Sequence, residues 1–350
     1  SKFIGVPYAL SFISERAGTY FVLKTLKEIN GWIEPEIICP SYTFFSVPWA
    51  AKLAGWKLRF ADIKKSDLNL DYKKIEKHIN GKTKAIIVTH LNGKPAKIND
   101  IYKICQNYNL RLLEDCAHVS GLKAYGKPIG AWDIGCFSFG DGKNLGTFGG
   151  GMVTLSDEKL FNALKDVSSL FKDQSVMQIT IKILGSTILK IMTSNTLYPF
   201  TLYPLQRWFG FFSKDQRKND FNNFIIKTEV NDLKYNLSDL QAITGISQLS
   251  RVKNNNKVRR RNSRIFRENI SSQFQDLMLP WDKNEPHTML HDAFIFNSNF
   301  NIVRSSLKKG IDVRLDYCGN CRELPGMEDI PGEDFVGREM DGKIFFIPNH

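Results

Sequence analysis

The stretch SFGDGKNLGTFGGG, residues 138–151, decides the fold expected for this chain. It places Lys143 in a glycine-rich turn that follows an apolar, strand-like run. An amine held in such a turn is suited to form a Schiff base with an aldehyde. Asp115 lies 28 residues earlier, at the end of another apolar run. The spacing suggests that the two side chains meet at one edge of a sheet.

Strand-like and helical patterns alternate through the first 155 residues. Strands are predicted at Glu36–Tyr42, Trp56–Ile63, Lys84–Leu91, Leu110–Cys116, Ile134–Phe139 and Gly151–Leu155. Helices are predicted at Gly18–Asn30, Phe45–Leu53, Asp71–Ile79 and Ile98–Tyr108. This alternation predicts a three-layer α/β fold with a mostly parallel sheet covered by helices. Ligands of such sheets bind beyond the carboxyl ends of the strands, where Asp115 and Ser138 lie.

The lysine and the aspartate together fit the chemistry of pyridoxal phosphate. The aldehyde of this cofactor needs an amine, and its pyridinium nitrogen needs an acidic partner. Lys143 supplies the first and Asp115 the second. Taken singly, each residue has a simpler explanation: Lys143 as a surface lysine in a loop, and Asp115 as a carboxylate that caps the end of a strand.

Composition and charge limit the classes of protein. The apolar and charged fractions, 42% and 24%, are ordinary for a globular protein. Six scattered cysteines predict a reducing, cytoplasmic location. Cys318 and Cys321 form one C-x-x-C pair without a second half, so a zinc site is not favoured and no metal is expected. The net charge of +12 could attract nucleotides or anionic lipid, but no nucleic-acid-reading motif is present.

Residues 171–229 interrupt the alternation and read as a basic, aromatic-rich insertion. Residues 171–270 carry 17 Lys and Arg against 7 Asp and Glu, a balance of +10. Pro199 and Pro204 exclude one continuous membrane-spanning helix across this region. Packing on the chain itself or on a partner subunit is the favoured interpretation, and contact with a membrane surface is the alternative.

The rest of the chain predicts a second, smaller unit. Residues 1–235 are expected to form a large cofactor-binding domain, and residues 236–350 a long helix with a small α+β domain. Ser238 opens the long helix with a capping box. His291–Phe296 is predicted to be a strand and Asn301–Lys309 a helix. Because the sequence begins at Ser1 and stops within an apolar run, both ends are expected to be trimmed.

Several blocks, in order along the chain, closely resemble the DegT/StrS-type sugar aminotransferases. This family has the aspartate aminotransferase fold, also called pyridoxal phosphate fold type I. The blocks are Ala17-Gly18-Thr19, Pro40–Phe44, Ala54-Gly55, Phe60–Asp62, Thr83–Gly93, Glu114–His118, Ser138–Gly151 and Lys234–Ala242. Many blocks in register are more specific than a single motif. The resemblance covers roughly residues 10–170 and 230–350.

The resemblance implies a role for each matched residue. Catalysis falls to Lys143, which forms the Schiff base and moves a proton, to Asp115 at the pyridine nitrogen and to His118 near the ring hydroxyl of the cofactor. Further cofactor contacts are implied for Gly18, Thr19 and the amide of Tyr20 at the phosphate, Ser138 at the phosphate, Phe44 stacked on the ring, and Asn236 at the phosphate of a neighbouring subunit. A homodimer with shared active sites follows from the last of these.

The resulting hypothesis is an aminotransferase that moves an amino group from L-glutamate to a nucleotide-linked keto sugar, in amino-sugar and surface polysaccharide biosynthesis. The Arg259–Arg261 cluster is a weak candidate for the nucleotide diphosphate. A dehydratase of the same family is the first alternative, but such relatives carry histidine in place of the lysine. A non-catalytic protein that binds membrane or a partner through residues 171–229 is the second.

Overall fold

A seven-stranded sheet forms the centre of the computed structural model, which describes residues 1–194, 196–201, 203–204, 229–282, 284–296, 306, 313–315 and 318–348. The strands of these residues are β1 Tyr8–Phe12, β2 Glu36–Pro40, β3 Tyr42–Thr43, β4 Lys57–Ala61, β5 Thr83–Thr89, β6 Arg111–Asp115, β7 Lys123–Ala124, β8 Lys127–Pro128, β9 Ile134–Ser138, β10 Gly151–Leu155, β11 His291–Ile295, β12 Arg314–Leu315, β13 Gly319–Asn320 and β14 Ile344–Pro348. The helices are α1 Glu15–Ile29, α2 Ser46–Leu53, α3 Ile98–Asn107, α4 Glu158–Ser168, α5 Val176–Met192, α6 Asp239–Asn269, α7 Ser272–Gln275 and α8 Phe335–Met340.

The order of the central sheet is β1-β10-β9-β6-β5-β2-β4. The five strands from β9 to β4 are parallel, while β10 runs antiparallel to both of its neighbours. The predicted α/β fold with a mostly parallel sheet is confirmed, and all six predicted strands are present. β1 was not predicted; it lies at the sheet edge and is only partly buried.

Side chains from the two faces of the sheet enter separate apolar cores. Along β5, Ala85 and Ile87 belong to the core that α1 and α2 cover, whereas Ile86 and Val88 belong to the core on the α3 side. Successive side chains of a strand point to opposite faces. The apolar run of β5 is therefore buried on both sides, as expected for an interior parallel strand.

One predicted helix is wrong. Asp71–Ile79 forms two short 3-10 turns, Tyr72–Lys74 and Glu76–His78, instead of an α-helix. Ile75 and His78 are both buried and lie three residues apart. A 3-10 helix has three residues per turn and places positions i and i+3 on the same side, so this geometry buries both side chains.

The end of the predicted strand Glu36–Tyr42 was also placed incorrectly. β2 stops at Pro40, and the N–H of Ser41 bonds to the carbonyl of Ala61. Tyr42 and Thr43 then pair with β13, close to the C-terminus. The chain leaves the central sheet here because a segment distant in sequence offers the backbone partners.

The C-terminal part holds a second sheet of order β11-β14-β12, which includes the predicted strand at His291–Phe296. The predicted capping box at Ser238 is confirmed, and α6 runs from there past the central sheet. Its Asn256 bonds to Asn144 at 3.1 Å and to the carbonyl of Ser120 at 3.0 Å. The predicted helix Asn301–Lys309 and most of the insertion lie outside the described residues, and the domain division at residue 235 stays a prediction. Among the described residues, no helix is both long and apolar enough to cross a bilayer.

Candidate active site

Lys143 and His118 meet at the carboxyl edge of the central sheet. Lys143 follows β9, and the turn is closed by a bond from its N–H to the carbonyl of Gly140. Its Nζ lies 2.9 Å from Nε2 of His118, which follows β6. The two predicted residues, 25 positions apart in sequence, are thus brought into contact because their strands are adjacent in the sheet.

The glycines that end the quoted stretch allow β10 to approach α1 closely. A Cβ on Gly151 would lie 2.3 Å from the backbone nitrogen of Glu15, closer than real Cβ atoms come. Gly150 has φ +108°, a left-handed conformation that favours glycine. The start of α1 therefore lies directly beside the turn that carries Lys143.

Asp115 is buried at the last position of β6. Its Oδ1 accepts the N–H of Ala117 at 3.0 Å, and its carboxyl also bonds to the hydroxyl of Thr89. Burial raises the pKa of Asp115, while the bond to Ala117 and the charge of Lys143 lower it. The carboxylate is thus held at a fixed position, where it interacts with the charge of Lys143.

Burial also lowers the pKa values of the two basic residues. The pKa of Lys143 is lowered by burial, although Asp115 opposes the shift. The pKa of His118 is well below its ordinary value because of burial first, and then because of Lys143 and His291. His118 is therefore neutral near pH 7, so that its Nε2 can accept a hydrogen bond from Lys143 Nζ. A lysine with a lowered pKa is a better nucleophile.

Glu15 is a site residue that the sequence analysis missed. Its carboxyl is buried, and its Oε1 accepts the hydroxyl of Thr19 at 2.9 Å. Burial and then the charge of Asp115 raise the pKa of Glu15 to about 8, and Lys143 acts in the opposite direction. The pocket therefore contains two acids that interact. Ser14 followed by Glu15 is a helix-start signal that could have revealed this position.

The predicted phosphate turn is in the wrong register. α1 begins at Glu15 with Ser14 as its N-cap, and the N–H of Gly18 already bonds to the carbonyl of Ser14. Thr19 and Tyr20 lie further inside the helix, where each N–H bonds to a carbonyl four residues back. Unsatisfied donors occur only in the first turn of a helix. The backbone of Gly18, Thr19 and Tyr20 is thus not available for a phosphate, and the donor end of α1 lies at Ser14.

Packing explains why position 18 is glycine. A Cβ there would lie 2.8 Å from Cγ2 of Val153 in β10. The ring of Tyr20 packs against Phe21 at 4.9 Å in the core, away from the lysine turn. Of Gly18, Thr19 and Tyr20, only Thr19 directs a polar side chain to a residue of the site, through its bond to Glu15.

The structure also shows the surroundings of the remaining predicted cofactor residues, Phe44, Ser138 and Asn236. Phe44 follows Thr43, whose hydroxyl is 2.9 Å from that of Thr89, and its ring packs against that of Phe45 with the centroids 4.4 Å apart. Ser138 ends β9, five residues before Lys143, in register with Gly151. Asn236 instead bonds to Asp173 of its own chain at 2.9 Å, and its predicted role at a neighbouring subunit stays a prediction.

His291 is a second residue that the sequence did not reveal. It begins β11, and its ring centroid lies 6.2 Å from that of His118 at an interplanar angle of 89°. On its other side the ring stacks on Phe346 at 4.8 Å. The second sheet thus supports the histidine that contacts Lys143. No motif marks His291, because its role depends on how the C-terminal sheet is placed.

Two groups of residues that could bind metal have structural roles. His90, Glu114 and Cys116 lie together in the interior. The oxygens of Glu114 accept the N–H groups of Gly130 and Trp132, and Nδ1 of His90 accepts that of Ala96. Cys318 and Cys321 are buried; Cys321 Sγ contacts the carbonyl of Thr43 at 3.7 Å, and Cys318 interacts electrostatically with Lys143. Cys321 therefore belongs to the packing between β3 and β13.

The residues of this pocket fit pyridoxal phosphate. Lys143 provides an amine with a lowered pKa, and Asp115 provides a buried carboxylate for the pyridinium nitrogen. His118 provides a neutral ring beside the amine. The first turn of α1 provides donors of the kind that bind phosphate. Amine, acid and phosphate donors come from different strand and helix ends that meet at one edge of the sheet.

The family model of the DegT/DnrJ/EryC1/StrS aminotransferases matches residues 1–188 and 207–332. The chain belongs to this family. The resemblance noted in the sequence is confirmed, and with it the expectation of pyridoxal phosphate as the cofactor. The family model leaves out residues 189–206, which lie inside the predicted insertion.

Two curated relatives of this family member match part of its length. It is 36% identical over 151 residues to UDP-N-acetyl-3-dehydro-alpha-D-glucosamine 3-aminotransferase of Acidithiobacillus ferrooxidans. It is 36% identical over 158 residues to GDP-perosamine synthase of Escherichia coli O157:H7. These matches cover 43% and 45% of the chain and 41% and 43% of the relatives. The chain thus matches less than half of the length of either relative.

Solved structures of similar fold cover nearly the whole family member. The sugar aminotransferase CalS13 from Micromonospora echinospora has a TM-score of 0.74 at 18% identity, over 99% of this chain and 84% of that one. The E. coli GDP-4-keto-6-deoxy-D-mannose-3-dehydratase with bound hydrated PLP has a TM-score of 0.72 at 20% identity, over 100% and 85%. At such identities the likeness establishes the fold, which confirms the predicted aspartate aminotransferase-like class.

The raised pKa of Glu15 predicts how stability depends on pH in the cofactor-free protein. In the unfolded chain Glu15 ionises near pH 4.5, but in the fold it keeps its proton up to about pH 8. The unfolded state therefore binds fewer protons in this range, and the free energy of unfolding falls as the pH rises. Glu15→Gln has no proton to lose, so its stability relative to the parent should increase from pH 5 to pH 8.

Urea unfolding at both pH values measures this difference. Glu28→Gln changes an exposed acid of the same helix and is the matched control, for which no such gain is expected. An equal pH dependence in parent and Glu15→Gln would show that Glu15 is ionised in the fold.

Proposed function

We propose that this chain is a pyridoxal phosphate-dependent aminotransferase that transfers an amino group from L-glutamate to a nucleotide-linked keto sugar. The observation that carries the proposal is the 2.9 Å contact between Lys143 Nζ and His118 Nε2, next to the buried Asp115, in a member of an aminotransferase family. Both curated relatives have names that refer to nucleotide-linked sugars, which supports this substrate class and a role in amino-sugar biosynthesis.

The protein contributes an amine, a fixed acid and a neutral histidine. When bound, the cofactor withdraws electrons from the substrate carbon whose C–H bond breaks. Lys143 Nζ would hold the cofactor and, when an amino donor has released it, would accept the proton that the substrate carbon loses and carry it to the place where it is returned. The lowered pKa of Lys143 leaves a larger fraction of the amine unprotonated and able to accept that proton.

Asp115 would act on the pyridine nitrogen of the cofactor, and His118 acts on the amine of Lys143. The Asp115 carboxylate, held by Ala117 and Thr89, would keep the pyridine nitrogen protonated. His118 accepts a hydrogen bond from Lys143 and so directs the amine. Exposed basic residues of α6, including Arg261, remain candidates for attracting the nucleotide diphosphate.

The proposed assembly is a homodimer with shared active sites. Leu240, Ile243 and Ile246 are exposed near the start of α6, close in sequence to Asn236. Burial of such a stripe by a second copy would place Asn236 near the neighbouring site, as the family resemblance implies. All six cysteines are buried and outside any disulfide, which supports a location in the cytoplasm.

A sugar dehydratase of the same fold is the second candidate. It is favoured by the structural likeness to GDP-4-keto-6-deoxy-D-mannose-3-dehydratase. The lysine at position 143 argues against it, because dehydratases of the family are expected to carry histidine there. The non-catalytic alternative is weaker still, because Lys143 and Asp115 are both present and come together.

The decisive experiment combines absorption spectra with a coupled assay. Purified protein loaded with pyridoxal phosphate should have a visible band that disappears on addition of L-glutamate. With a nucleotide-linked keto sugar, release of 2-oxoglutarate should match the formation of amino sugar. A deoxygenated, non-aminated product would favour the dehydratase. Failure to bind the cofactor at all would overturn both enzymatic proposals.

His118 should tolerate an acceptor but not an apolar residue. In His118→Gln the amide oxygen can still accept a hydrogen bond from Lys143, so kcat/KM should stay within about tenfold of the parent. His118→Leu has no acceptor and should lose roughly 10–100-fold, the equivalent of one hydrogen bond to a charged group. Steady-state kinetics measures both. Equal values for the two variants would show that the contact with Lys143 has no role.

A further inference from the structure

Thr288 lies beside the turn that carries His118, on the segment that leads into β11. Its hydroxyl donates to the carbonyl of His118 at 2.8 Å, and its N–H donates to the carbonyl of Gly93 at 2.9 Å. Thr288 is completely buried, and 170 positions separate it from His118 in sequence. One residue of the C-terminal part thus connects the turn after β6 with the turn after β5.

Gly93 leaves the space that the Thr288 side chain occupies. A Cβ at position 93 would overlap Oγ1 of Thr288 and would lie 3.3 Å from the carbonyl oxygen of His118. Gly93 also has φ +88°, in the left-handed region that favours glycine. A larger residue at position 93 would therefore push the hydroxyl away from the carbonyl of His118.

The segment of residues 287–291 is itself held in place. Nδ1 of His287 accepts the N–H of Met289 at 2.8 Å, and the carbonyl of His287 accepts a hydrogen bond from Arg260 of α6 at 3.1 Å. The three residues that follow His287 are at most 1% exposed. Side chains fixed by packing and hydrogen bonds can hold a functional group at a defined position. The segment is therefore a rigid support for the turn at His118.

This segment contacts His118 at two points. Thr288 bonds to its backbone carbonyl, and the ring of His291 lies edge-on to its ring with the centroids 6.2 Å apart. Nε2 of the same His118 ring lies 2.9 Å from Nζ of Lys143. Because a side chain follows its backbone, a shift of the turn would move Nε2 away from the amine. Thr288 can thus act on Lys143 through His118.

We propose that Thr288 is a positioning residue of the active site, whose hydroxyl holds the turn of His118 so that the His118 ring meets the amine of Lys143. Its effect on turnover rests on the proposed aminotransferase function, but the contact between His118 and Lys143 exists without substrate. Loss of the hydroxyl removes one hydrogen bond and deprives a buried carbonyl of that donor. The turn then relaxes, and the amine is directed less well towards the cofactor.

Thr288→Val keeps the shape of the side chain but removes the hydroxyl. When the cofactor-free chain is mixed with pyridoxal phosphate, the visible band of the bound cofactor should form about three- to tenfold more slowly than in the parent, the equivalent of one hydrogen bond. Stopped-flow absorption measures this rate without an amino donor or a sugar. Thr288→Ser keeps the hydroxyl and should restore the rate to within about twofold of the parent. The kcat/KM of transamination should follow the same pattern.

Thr154→Val is the matched control. Thr154 is a buried residue of β10 whose hydroxyl donates to the carbonyl of Gly130 at 2.6 Å, so the variant also removes one bond from a hydroxyl to a carbonyl. Urea unfolding should show a similar loss of stability in both valine variants, but only Thr288→Val should slow the formation of the band. Equal slowing in the two variants would overturn the proposal, because a general loss of stability would then explain it.

A double-mutant cycle with His118→Leu tests whether Thr288 acts through His118. Adding Thr288→Val to His118→Leu should slow the formation of the band by less than about twofold more. The same fold-change in both backgrounds would contradict the proposal, as would a Thr288→Val rate equal to that of the parent. If Thr288→Val does not fold, Thr288→Ala removes the hydroxyl with a smaller side chain and takes its place in the cycle. A parent that forms the band but releases no 2-oxoglutarate would contradict the proposed function alone.

Discussion

Lys143→Ala is expected to abolish transamination while the protein remains folded. The variant loses the amine that binds the cofactor and the base that moves the proton. Because a positioned acid or base alone contributes about 10²–10⁴-fold, the combined loss in kcat should be at least ~10³-fold. The visible absorption band of the bound cofactor should also disappear or shift. Release of 2-oxoglutarate and the absorption spectrum measure the two effects.

Folding should be little affected because Lys143 is only half-buried and burial disfavours the charged form of its amine. Lys123→Ala removes an exposed lysine of a nearby hairpin and serves as the matched control, with full activity expected. Turnover of Lys143→Ala at the rate of the parent would disprove the proposed mechanism.

Asp115→Asn should cause the second largest loss of aminotransferase activity. An amide cannot hold a proton on the pyridine nitrogen, so electrons are withdrawn from the substrate less effectively. We expect kcat to fall by about 10²–10⁴-fold, the range that one positioned acid or base typically contributes. Cofactor affinity should also fall, and titration with pyridoxal phosphate followed by fluorescence measures that loss without turnover.

The free energy of unfolding separates this chemical effect from a structural one. Burial disfavours the charged form of Asp115, so a neutral amide of the same shape should leave the cofactor-free protein about as stable as the parent. Asp329→Asn replaces an exposed acid and should change neither kcat nor the free energy of unfolding. Severe unfolding of Asp115→Asn would instead assign the carboxylate a mainly structural role.

The two pKa shifts at Asp115 and Glu15 have a common origin. Both carboxyls are buried at the same sheet edge, and each raises the cost of ionising the other. Lys143 lowers the pKa values of both acids and Arg16 lowers that of Glu15, but burial outweighs these charges, so one acid retains its proton near neutral pH. The acid that remains protonated is expected to be Glu15, which receives only the hydroxyl of Thr19.

Local sequence patterns were sufficient to predict most strands of the central sheet and to single out Lys143 and Asp115. The apolar runs of β5 and β6 are buried on both faces, so their composition alone marks them as interior strands. Lys143 and Asp115 were found because each follows such a run, and parallel strands end at the same edge of a sheet. Family resemblance added His118, which no spacing rule would have joined to Lys143.

Local sequence patterns gave wrong predictions where packing against residues distant in sequence determines the local geometry. Resemblance placed the phosphate turn at Gly18, but Gly18 is required by the approach of Val153, and the helix begins at Ser14. A glycine that relieves a packing contact and a glycine that frees backbone donors look identical in one sequence. The 3-10 turns at residues 72–78 were missed for a similar reason, since burial of Ile75 and His78 selects their geometry.

The amino-acid sequence by itself determined the fold class, the lysine turn and the acid at the end of β6, because these depend on the apolar character and glycine content of short segments. Only the tertiary structure decided that Glu15 lies beside Asp115 and that His291 supports His118. Those relations depend on distances between segments that are far apart in sequence. They are set by how helices and sheets pack, and burial of the same side chains determines their pKa values.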